Sequence, residues 1–137
     1  MKTTSTQVLD KLYSLVKGSA LEGAVKGALY KKPELRPANR VNEDIVLNFV
    51  SGDAEQVQEG VANVNVFVPD IDAGLGIPVC NTTRCRELEA VAAEWAESLR
   101  ESDGYYFELD EMIETLRYED NKQHLLNIRL KFNFVTF

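Results

Sequence analysis

The sequence predicts one α+β domain over residues 1–137, built from a single, mostly antiparallel sheet of about four to five strands covered by two main helices. Three observations carry this expectation. Residues 84–101 place Cys85, Leu88, Val91, Ala92, Trp95, Ala96 and Leu99 at the i, i+3, i+4 and i+7 spacings of an amphipathic helix. Residues 126–136 alternate Leu126, Ile128, Leu130, Phe132 and Phe134 with Asn127, Arg129, Lys131 and Asn133, the period of a half-buried strand. Residues 61–68 put Ala62, Val64, Val66 and Val68 on one face and Asn63 and Asn65 on the other. Helices segregated from antiparallel strands define the α+β class.

The elements follow in order. Over residues 6–17, Val8, Leu9, Leu12, Tyr13, Leu15 and Val16 share a broad face; Ser5 or Thr6 can cap this helix and Gly18 can end it. Residues 20–25 suit a short helical turn. Ala28, Leu29 and Tyr30 form a short apolar run, followed by a basic segment in which Pro33 and Pro37 oppose regular pairing. Residues 45–50 read as a strand and residues 51–60 as a polar connection to the next. Residues 70–81 contain Gly74, Gly76 and Pro78 without any period, and are expected to form a mobile or partner-binding loop. Thr83 is a plausible cap for the long helix, which Ser102, Asp103 and Gly104 stop. Residues 105–109 suit a short strand, and residues 111–117 a helical turn or irregular chain. The last alternating strand is expected to lay its apolar face under the helix that carries Trp95.

Composition bounds the chemistry. The chain has 137 residues, 45% hydrophobic and 27% charged, with a net charge of −7. A chain of this length buries enough surface to fold without disulfides or metal. The acidic balance opposes non-specific binding to nucleic acid or to an anionic membrane, which needs clustered cations. No run approaches the length of a membrane span, and the N-terminal residues lack the apolar core of a signal peptide. Cys80 and Cys85 are therefore expected to be free thiols in a reducing compartment.

No catalytic constellation emerges, and no enzyme activity, cofactor or metal is expected. Two cysteines fall short of the four ligands of a structural zinc site, and the single histidine, His124, lies far from them in sequence, expected at a solvent-facing strand edge. No nucleophile elbow accompanies that histidine. Acidic pairs at Asp70 with Asp72, and at Asp110 with Glu111 and Glu114, are expected by chance among 22 acidic residues. Gly74-Leu75-Gly76 lacks the spacing of a phosphate loop.

Interaction is the class of function the residues leave open. Lys31, Lys32, Arg36 and Arg40 form the one basic cluster, expected to meet the acidic outer face of another subunit's long helix. Leu75 and Ile77 in the glycine-containing loop, and Phe137 at the terminus, complete the candidate interface. Phe137 either tucks onto its own domain or is held by a neighbour.

The order of these segments resembles the bacteriophage tail-completion or tail-terminator proteins and related head–tail joining proteins. The features that carry it are the first helix with Val8 to Val16, then Tyr30-Lys31-Lys32-Pro33 with Pro37. The strand Val64-Asn65-Val66-Phe67-Val68, the helix over residues 87–99 and the alternating final strand follow. The resemblance implies a structural role in a virion or in the host bacterial cytoplasm. It also implies self-association into a ring, commonly of six subunits, that caps the tail tube and faces the head connector. Another neck or minor tail protein, or a small cytoplasmic protein-binding domain, are the alternatives. A ring of acidic subunits would repel phosphate passing through its lumen.

Overall fold

The computed structural model describes residues 1–74, 76–118 and 122–135. The chain opens with helix α1 (Ser5–Val16) and a short helix α2 (Ala20–Ala24). Strand β1 (Leu29–Tyr30) precedes a 3-10 turn at Pro33–Leu35. Strands β2 (Ile45–Gly52) and β3 (Val57–Pro69) form a long hairpin. A small ribbon of β4 (Ile71–Asp72) and β5 (Pro78–Val79) leads into helix α3 (Thr82–Ser98). Strands β6 (Tyr105–Leu109), β7 (Glu114–Arg117) and β8 (Gln123–Val135) complete the chain.

The α+β class holds, but the main sheet is larger than expected. Its order is β1-β2-β3-β8-β6, with β7 also on β8, giving six strands rather than four to five. Two short segments enlarge the main sheet, and a third forms a ribbon outside it. The Ala28–Tyr30 run pairs in parallel with the start of β2. Residues 114–117 form a strand where a helical turn or irregular chain was expected. Residues 71–79, expected to be without period, contain the separate ribbon β4-β5. Strands of two to four residues carry too few side chains for a period to show.

β6 and β7 pair with the same side of β8, at Leu130–Phe134 and at His124–Asn127 respectively. They act as one edge strand interrupted at residues 110–113. β3 pairs with β8 along its whole length, from Val57↔Val135 to Pro69↔Gln123. This register puts Ala62, Val64, Val66 and Val68 on the same face as Leu126, Ile128, Leu130 and Phe132. All eight are buried, in one core with Val8, Leu12 and Val16 of α1 and with Leu88, Ala92 and Trp95 of α3. The final strand therefore shares its core with the Trp95 helix, as its alternation required.

Local chemistry sets the helix boundaries. Thr4, not Ser5 or Thr6, caps α1. The Gln7 amide donates to Thr4 Oγ1 and the Thr4 amide donates to Gln7 Oε1, a reciprocal capping box. Asn81 rather than Thr83 caps α3, accepting from the Arg84 amide at 3.2 Å. After α3, Ser102 and Tyr105 exchange two backbone hydrogen bonds around Asp103 and Gly104, both at positive φ. That geometry suits an Asp-Gly turn and launches β6.

Candidate functional site

Both long helices lie on the core face of the sheet. The opposite face carries Asn48 of β2, Asn63 and Asn65 of β3, and Asn127, Arg129, Lys131 and Asn133 of β8. Asn127 donates to Asn65 Oδ1 across the strands at 2.9 Å. Arg129 pairs with Asp110 at 2.9 Å and Lys131 with Glu108 at 3.3 Å, so both cations on this face have acidic partners. These side chains are half-buried or exposed, apart from the short chain segments described next.

The basic segment covers one end of this face instead of reaching outward. The Arg36 guanidinium carbon sits 3.9 Å from the centre of the Phe67 ring, and Tyr118 meets the same ring edge-on at 5.0 Å. Asp44, completely buried, anchors the segment. Its carboxylate accepts from Arg36 Nε at 2.9 Å, Arg40 Nε at 2.7 Å and the Ala28 amide at 2.8 Å. Arg36 also donates to Gln123 Oε1 at 2.8 Å. Burial acts to raise the Asp44 pKa, but the hydrogen bonds from Arg40, Ala28 and Arg36 together hold it below the ordinary aspartate value.

The neighbouring Glu43 makes a matching anchor. Arg84 of α3 donates to both its oxygens, at 2.8 and 2.9 Å, and to the Ala24 carbonyl at 2.7 Å. The Arg84 hydrogen bond holds the Glu43 carboxyl below its usual range, and the Arg84 pKa is raised in turn, chiefly by Glu43. Gly27 is required here. A Cβ at that position would fall 2.2 Å from both Asp44 Oδ1 and the Glu43 carbonyl oxygen.

The expected basic interface is thereby corrected in part. Arg36 and Arg40 are committed to Asp44, and Lys31 reaches Asp10 of α1 at 2.8 Å. Lys32 is half-buried, and its carbonyl accepts from the Leu35 amide at 3.1 Å. Ion pairs closed within the subunit engage Lys31, Arg36 and Arg40 of the cluster that was expected to reach across a boundary. Ile77 is exposed. Leu75 and Phe137 lie outside the described residues. His124 does not sit at a solvent-facing edge. It lies inside β8, half-buried, with Nδ1 2.7 Å from Oδ1 of the buried Asp70.

The surface signal the sequence did not show lies on the free edge. No described strand pairs the outer side of β6 or β7. Along that edge Tyr106 of β6 and Leu116 of β7 are exposed, and Met112, 83% exposed, lies in the interruption between the two strands. Acidic Glu111 and Glu114 stand among them. In sequence these residues are scattered singly; only the shared pairing of β6 and β7 on β8 brings Tyr106 and Leu116 to one edge. No helix among the described residues is long and apolar enough to cross a membrane.

No family model matches this chain, and no curated protein matches it. One solved structure, of a protein bearing only an identifying code, is similar over 96% of both chains, with 19% identity and a TM-score of 0.45. A likeness at that level carries no argument about function.

Proposed function

We propose that this chain is a structural phage or prophage assembly protein of the tail-completion type, a subunit of a ring at the end of the tail tube. The observation that carries the reading is the unpaired β6–β7 edge with exposed Tyr106, Met112 and Leu116. An open strand edge with apolar side chains is a template for another chain. Glu108, Glu111 and Glu114 on the same edge repel an identical edge, so the partner surface is a different one. Contacts between unlike surfaces close into rings when the rotation permits. The segment order described above supports the same reading, as do the ion pairs that hold Lys31, Arg36 and Arg40 of the basic segment on Asp10 and Asp44.

The test is genetic. Deleting the gene from an inducible prophage and imaging the lysate should give tails of abnormal length or tails unjoined to heads. Normal virions at normal yield would overturn the proposal.

A further inference from the structure

Cys80 and Cys85 occupy special positions of α3. With Asn81 as the cap, Cys80 is the residue before the cap and Cys85 the fourth helical residue. In many helices these two positions hold apolar side chains that touch and fix how the chain enters the helix. Here both are thiols, with Sγ atoms 3.8 Å apart. Backbone bonds hold the geometry: the Cys85 amide donates to the Asn81 carbonyl at 2.9 Å, and the Thr82 amide to the Cys80 carbonyl at 3.0 Å.

We infer that Cys80 and Cys85 form an oxidisable pair, in which a small-molecule disulfide such as glutathione disulfide converts the thiol contact into an intrachain disulfide that fastens the β4–β5 ribbon to the start of α3. This inference is independent of the proposed assembly role.

The steps follow from the two environments. Cys80 is half-buried and Cys85 fully buried. Cys80 reacts first: its thiolate attacks one glutathione sulfur, the glutathione S–S bond breaks, and one glutathione leaves and takes a proton. Cys85 then loses its proton to solvent, and its thiolate attacks Cys80 Sγ in the mixed disulfide and expels the second glutathione. In sum, two protein thiols and one glutathione disulfide become one protein disulfide and two glutathione thiols. Burial first, then Cys80, then Glu89 and Asp70 push the Cys85 thiol up to about 12, so Cys85 is a poor first nucleophile and the resolving partner. The same surroundings favour the uncharged disulfide over a buried thiolate.

The bond closes across the junction between two elements. β5 ends at Val79, immediately before Cys80, so oxidation ties the ribbon that carries exposed Ile71 and Ile77 to the helix.

The test uses the full chain, folded, with glutathione disulfide at neutral pH. Intact mass should fall by two hydrogens and both thiols should disappear from a thiol titration. The protein should run as a monomer on a non-reducing denaturing gel. Hydrogen exchange over residues 71–79 should slow on oxidation and recover after a dithiol reductant. In Cys85→Ser the reaction should stop at a single stable glutathione adduct on Cys80. Three outcomes would overturn the inference: a stable mixed disulfide on Cys80 in the native chain, a disulfide between chains, or two unreacted thiols in a protein whose Cys80→Ser variant folds equally well.

Discussion

At the residue scale, stability concentrates in Glu43 and Asp44. These adjacent carboxylates tie together the ends of α2 and β1, the basic segment, α3 and, through Arg36 and Gln123, the start of β8. A buried ion pair is costly to break from one side, because the surviving charge is left unpaired. Asp44→Ala should therefore lower the unfolding free energy by about 3–5 kcal/mol in denaturant titration. The pH dependence has a definite sign. Both carboxyls have folded pKa values below their ordinary ones, so the folded state binds fewer protons than the unfolded chain as the pH falls. Their stabilisation is complete above the ordinary carboxylate range, about pH 4–4.5, and is lost as the pH drops through the lower folded values. The melting temperature should hold between about pH 7 and 5 and fall steeply below about pH 4. Asp44→Asn should flatten that acid limb.

Two glycines separate close approach from open space. A Cβ on Gly60 would meet the Ser51 carbonyl oxygen at 2.2 Å and the Phe132 ring at 2.6 Å. Gly60→Ala should cost about 1–3 kcal/mol through forced displacement of backbone and ring. Gly23, in α2, meets nothing within 4 Å. Gly23→Ala should stabilise by about 0.4–1 kcal/mol, chiefly by restricting the unfolded chain. Thermal melts of the two variants should move in opposite directions.

At the element scale, what the sequence made legible depended on length and burial. β8 and the two long helices bury one continuous face each, so their periods stand out. β3 was legible from residue 61 onward, yet the strand begins at Val57, where Gln58 breaks the apolar alternation. Gln58 is buried all the same. It accepts from the Thr3 amide at 2.7 Å and donates to the Thr3 carbonyl at 3.1 Å, strapping the N-terminal segment to the sheet. A glutamine that mimics a strand partner is invisible to hydrophobic patterning. The basic cluster was visible as composition, but its partners Asp44 and Asp10 were not, because ion pairing depends on where loops return in space. The capping box had a readable signal in Thr4 and Gln7, spaced three apart. The β6–β7 edge had none, since its exposed apolar residues gain meaning only from a shared neighbour.

The edge makes its own prediction. Met112→Lys and Leu116→Lys replace exposed apolar groups and touch no core residue, so each should change the melting temperature little. Both should weaken self-association. A large stability loss with unchanged association would show instead that the edge packs within its own subunit.

At the scale of the whole molecule, the sheet divides two tasks. One face builds a core with α1 and α3. The other is asparagine-rich, pairs Arg129 with Asp110 and Lys131 with Glu108, and turns apolar at one end, where Val46 and Phe67 are buried. Exposed Glu111 and Glu114 add acidic groups along the β6–β7 edge. On the proposed reading, an acidic, apolar edge selects a surface unlike itself, and such unlike contacts close into a ring when the rotation permits. Ring assembly is the central claim, and light scattering on the purified chain across a wide concentration range tests it most directly, repeated with isolated tail tubes. The expected result is a discrete oligomer of fixed stoichiometry, seen as annular particles by electron microscopy and lost in Leu116→Lys. A strict monomer at every concentration, with and without tubes, would contradict it.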